Sequence, residues 1–87
     1  MPEISRFRGI TIHIYYGDHN PPHFHAIYGK DKAVFRIDTL EKIEGKIPKI
    51  QELLVVKWAY INRKELFNAW EAIITKKQQP EKIKPLK

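Results

Sequence analysis

No cysteine occurs anywhere in the 87 residues. Disulfides, thiolate metal ligands and thiol nucleophiles are therefore excluded at the outset. No apolar run approaches the ~18 to 20 residues that a membrane-spanning helix needs. The opening stretch Pro2-Glu3-Ile4-Ser5-Arg6-Phe7 lacks the apolar core of a signal peptide, so a cytoplasmic protein without membrane association is expected. There is no internal repeat, and a chain of this length supports one modest core. Acidic residues are in short supply, with 10 Asp and Glu against 16 Lys and Arg, for a net charge of +6. That excess is unevenly placed. From Thr75 onward five lysines stand against Glu81 alone, giving +4, while the rest carries 11 basic and 9 acidic residues, giving +2. The body is nearly balanced, and a basic tail suits weak polyanion binding by counterion release or simple solubilisation.

What is present is a globular composition, 43% hydrophobic and 11% aromatic, with two periodicities in succession. Pro2 to Gly9 reads as an irregular or extended arm carrying Arg6 and Arg8 on one side of Phe7. Ile10 to Tyr16 then alternates, with Ile10, Ile12 and Ile14 on one face and Thr11, His13 and Tyr15 on the other, which predicts a half-buried strand. His23 to Tyr28 and Lys32 to Asp38 predict two more strands, joined by a Gly29-Lys30-Asp31 turn. A short fourth strand around Ile43 is expected. From Pro48 the period lengthens to that of a helix. A stripe of Ile50, Leu53, Leu54, Lys57, Trp58 and Ile61 marks the first helix. Asn62 with Glu65 three residues on reads as the capping signal of a second, whose stripe is Leu66, Phe67, Trp70, Ile73 and Ile74. The predicted fold is α+β: a three- to four-stranded antiparallel meander followed by a helical hairpin packed on one face. It forms a single domain over residues 1–77, followed by a flexible basic tail at 78–87. Phe24, Ala26, Phe35, Ile12, Ile14, Leu54, Trp58, Leu66 and Trp70 are its expected core.

The chemistry concentrates between strands. Asp18-His19-Asn20-Pro21-Pro22-His23-Phe24-His25 holds three of the four histidines. Its paired prolines forbid a helix and stiffen the loop. On the strand that follows, His23 and His25 share a face ~7 Å apart, and Phe24 points the other way. Keeping the apolar faces together sets His13 opposite His25 and Tyr15 opposite His23, with Arg36 and Asp38 facing His25 and His23 from the third strand. Two chemistries suit such a face. In the first, His23 and His25 act as general base and acid on an RNA or nucleotide phosphodiester while Arg36, Arg6 or Arg8 forks onto phosphate; Tyr15, His13 and Asp38 line the binding surface. This scheme needs no cofactor. In the second, His23 and His25, with His19 or His13 as third ligand and Asp18 or Asp38 behind them, hold zinc with one open position. A third reading makes the proline loop and aromatics a non-catalytic docking surface for another protein.

The residues quoted, together with Pro2 to Phe7, Tyr15-Tyr16 and Leu40 to Pro48 as L-x-x-I-E-G-K-I-P, resemble a family of small bacterial proteins catalogued as a domain of unknown function. The D-H-x-P-P-H-F-H stretch is that family's hallmark. The resemblance implies a gene pair of toxin–antitoxin type, with this chain as a toxin-type component and a small antitoxin-like protein encoded next to it as partner. It implies no reaction and assigns no catalytic residues.

Overall fold

A computed structural model describes residues 2–87. Five strands form one antiparallel sheet in sequence order: β1 Glu3–Phe7, β2 Ile10–His13, β3 His23–Tyr28, β4 Asp31–Arg36 and β5 Lys42–Lys46. Two helices follow, α1 Lys49–Ile61 and α2 Arg63–Trp70, and the second runs on into a π-helical turn at Glu71–Thr75. The architecture is the expected α+β with five strands in place of three or four. The extra strand is β1, in the segment expected as an irregular or extended arm. It closes on β2 through Arg8 and Gly9, both at positive φ (51° and 79°), with Phe7 paired to Ile10. This two-residue hairpin lacks the Asn-Gly or Asp-Gly pair that usually announces one. No helix among the described residues is long and apolar enough to cross a membrane.

Alternation puts Ile10, Ile12, Phe24, Ala26, Ala33 and Phe35 on one sheet face, all buried. Trp58 of α1 fills the middle of that face, its ring 5.3 Å from Phe7 and 6.0 Å from Phe24. The α1 helix rotates away from its sequence stripe, while α2 and the turn after it keep Leu66, Trp70 and Ile73 of theirs buried. In α1 the buried residues are Val55, Trp58 and Ala59, while Ile50, Leu53 and Ile61 are exposed. In α2 Ala69 is buried and Phe67 is exposed. Asn62 is not the side-chain cap of α2. With a single residue between the helices, its amide donates to the Trp58 carbonyl at 2.9 Å and finishes α1 instead.

Residues 78–87, expected as a flexible tail, lie against the body. Pro80 and Ile83 are buried, the Ile83 amide donates to the Ile4 carbonyl at 2.8 Å, and Ser5 Oγ donates to the Ile83 carbonyl at 2.9 Å. Its apolar residues are few, but Pro80 and Ile83 find places on the body that composition does not report.

The β5 strand depends on one glycine. Gly45 has φ 78°, and a side chain there would drive into the Lys32 carbonyl of the neighbouring strand. Gly45→Ala is expected to destabilise the fold by about 2 to 3 kcal/mol, combining a strained φ with the displaced ladder. Thermal unfolding checks this, with Gly29→Ala as control: Gly29 shares the positive φ but has open space at its Cβ, so its loss should be clearly smaller.

Candidate functional site

The loop between β2 and β3 folds back on itself before the histidines begin. The Asp18 carboxylate accepts from the Tyr15 amide at 2.9 Å, and the Asp18 amide donates to the Tyr15 carbonyl at 3.0 Å. This reciprocal turn brings Asp18 over the start of β3. The Ile37 amide then fixes the loop to the end of β4 by donating to the Pro22 carbonyl at 3.0 Å. The bond between Asn20 and Pro21 is cis.

Asp18, His23 and His25 converge, each offering one donor atom, and these atoms lie within 4.8 Å of one another. His25 Nε2 donates to Asp18 at 3.2 Å from Oδ2, and His23 Nε2 stands 3.6 Å from Oδ1. The Nδ1–H of His23 donates to the Pro21 carbonyl at 2.7 Å, because a carbonyl can only accept. All three side chains are largely but not wholly covered. Beside them opens a cleft of ≈ 260 Å³, with Asp18, His19, Pro21 and His23 along one wall and Val34, Ile43 and Glu44 along the other.

A file of rings extends the cluster in both directions. Tyr15 leans on His25 at 4.6 Å and stacks on His13 at 5.8 Å. On the other side, His23 meets His25 at 5.2 Å and Trp70 of α2 at 5.2 Å. Burial raises the pKa of the Tyr15 hydroxyl, with Asp18 adding to it. Burial lowers the pKa of His13, Glu3 acting against it, and His13 Nδ1 is buried without a partner among the described residues. Tyr15 thus separates His13 from the cluster, although His13 pairs with His25 across the ladder as expected.

The remaining expected site residues are placed as follows. Arg36 is opposite His23, and His25 is opposite Val34, a two-residue slip from the expected register. The cause is the β3–β4 turn, which uses Gly29 and Lys30 only, so that Asp31 already pairs with Tyr28. Faces survive such a slip and neighbours do not. Tyr15 lies beyond the end of β2 and stands over His25 instead of pairing with His23. Asp38 follows β4 and takes both prongs of the Arg36 guanidinium, at 2.8 and 2.7 Å. That fork holds the Asp38 carboxyl down to about 2. Arg6 forks onto Glu3 at 3.2 and 2.7 Å, and Arg8 donates to the Lys87 carbonyl at 2.7 Å. His19 is exposed on the loop and outside the converging group. The acid the sequence reading kept behind the ligands, Asp18, is the one that joins His23 and His25. Its signal is the Tyr-Tyr-Gly-Asp turn, which returns the fourth residue to the first.

A family model described as a domain of unknown function matches residues 9–71, spanning β2 to the end of α2. No curated protein and no solved structure matches the chain.

Proposed function

The chain belongs to the DUF4160 family of domains of unknown function, whose description assigns no reaction, and from the site itself we propose a divalent-metal centre ligated by Asp18, His23 and His25. The observation that carries this is the orientation of His23. With Nδ1–H committed to the Pro21 carbonyl, a neutral ring turns the bare lone pair of Nε2 toward an Asp18 oxygen 3.6 Å away. Two acceptors face each other across that gap, an arrangement that a cation between them relieves. A backbone carbonyl on the far nitrogen is also the usual outer partner of a metal-bound histidine. The spacing fits as well. Bonds of ~2.0 to 2.1 Å in a tetrahedron put donors about 3.3 Å apart, against 3.3 and 3.6 Å from the one oxygen Asp18 Oδ1 to His25 and His23 Nε2. Metal binding would take the Nε2 position of His25, whose ring proton would then sit on Nδ1. The fourth position would open on the cleft, where a polarised water or a phosphate oxygen has room.

A second reading keeps a proton where the first puts a metal. In it, His23 and the Asp18-oriented His25 act as acid and base on an RNA or nucleotide phosphodiester. The chain is then the toxin-type component of a pair, restrained by a neighbour-encoded antitoxin-like protein. The placement of Arg36 opposite His23 favours it; the engagement of Arg36, Arg6 and Arg8 within the chain weighs against it.

Zinc or cobalt titration of the metal-free chain by calorimetry tests the first reading. Wild type is expected to bind one ion per chain, more weakly as pH falls because protons compete with the metal for the imidazoles and the carboxylate. Asp18→Asn and His23→Ala, checked for intact unfolding curves, should each lose about 100-fold or more in affinity, since second-sphere changes alone cost ~10- to 100-fold. Equal affinity in wild type and Asp18→Asn would rule the centre out. Metal-independent RNA cleavage abolished by His23→Ala would establish the second reading in its place.

A further inference from the structure

Away from the histidine face, α1 presents a surface the fold leaves without a partner. Ile50, Leu53, Tyr60 and Ile61 are 68, 60, 70 and 62% exposed. At 100° per residue they fall on one side of the helix, opposite Val55, Trp58 and Ala59. The helix is therefore apolar on two faces, a pattern that belongs to a helix covered on both sides. Of the helix's own residues, the outer face holds two charged ones, Lys49 and Lys57, both exposed, and the Arg63 guanidinium of α2 stands over its Tyr60 ring at 5.5 Å. Neither lysine makes an ion pair among the described residues. Lys57 sits in the middle of the apolar patch, one turn from Leu53 on one side and from Ile61 on the other.

We infer that this face docks an acidic, amphipathic helical segment of another protein, whose apolar stripe covers Leu53, Tyr60 and Ile61 and whose carboxylate meets Lys57. Charge decides between occupants. A second copy packed about a two-fold axis would bring Lys57 close to its own counterpart with no acid on the face to separate them, in a chain of net charge +6. A lipid surface accepts lysines at the rim of an apolar face, where the side chain reaches the headgroups, but Lys57 is central. An acidic helix satisfies both the apolar area and the cations.

The test uses the full chain and a labelled helical peptide with leucines at heptad spacing and glutamates beside them, read by fluorescence anisotropy. Wild type is expected to bind. Leu53→Asp should weaken binding at least tenfold with an unchanged unfolding curve. Lys57→Glu should weaken it at least fivefold, and a peptide with its glutamates changed to lysine should recover that loss on Lys57→Glu alone. Three results would overturn the inference: equal binding of both peptides to wild type and Lys57→Glu; Leu53-dependent dimerisation of the chain alone in sedimentation; or Leu53-dependent binding to anionic phosphatidylserine vesicles without binding of the peptide.

Discussion

Deletion of residues 78–87 is expected to lower the stability of the chain by about 4 kcal/mol, a drop in melting temperature on the order of 20 °C for a domain of this size. Ile83 is 6% exposed, and burying such a side chain contributes ~1.5 to 3 kcal/mol. Three further links go with it: Ser5 Oγ to the Ile83 carbonyl, the Ile83 amide to Ile4, and Trp58 Nε1 to the Lys84 carbonyl at 2.8 Å. Each hydrogen bond adds ~0.5 to 1.5 kcal/mol net, less whatever water restores once the segment is gone. Chemical and thermal unfolding of the shortened chain measure the sum. A loss under ~1 kcal/mol would show that the segment adds nothing to the body, which is what its polar composition suggested.

Trp58→Ala should have a comparable effect, about 3 to 5 kcal/mol, the range for an aromatic removed from a packed core. The indole touches Phe7 and Phe24 and donates across 26 positions to Lys84. Trp58→Phe keeps most of the packing and loses the donor, so its cost should be clearly smaller. Combined with the deletion, Trp58→Phe should be markedly less than additive, because both changes remove the same bond to Lys84. Full additivity would mean that the indole N–H and the C-terminal segment stabilise the fold independently.

How much of this was legible in the sequence depends on the range of the interaction. Alternation assigned the faces of β2, β3 and β4 correctly, since side-chain direction along a strand is local. It gave Phe24 and Ala26 the core positions and His23 and His25 the less buried alternate ones, as their burial shows, although the His23 ring also meets Trp70 of α2. It missed by two residues on Arg36, because register is decided at the Gly29-Lys30 turn and no periodicity reports it. The rotation of α1 escaped for the opposite reason: with apolar residues on both sides, its sequence offers two acceptable stripes, and the sheet selects the one containing Val55 and Ala59. The position of Asp18 required the Tyr15 turn to be seen as closed. The docking of Ile83 was beyond any window, its partners lying at Ile4 and Ser5.

That pairing also sets a schedule for synthesis. Ser5 and Ile83 are 78 positions apart, so at ~5 to 20 residues per second the ribosome delivers the second on the order of ten seconds after the first. For that interval the Ile4 carbonyl and Ser5 hydroxyl of β1 face solvent, and over its last third the indole of Trp58 waits for Lys84, 26 positions on. An uncovered sheet edge of this kind invites stray pairing with other nascent chains. The β1–β2 hairpin can form early, but its outer side is covered only when residues 83 and 84 arrive. Premature termination anywhere between Trp70 and Ile83 would therefore release a chain with every strand present and β1 still uncovered, a natural substrate for chaperones and proteases.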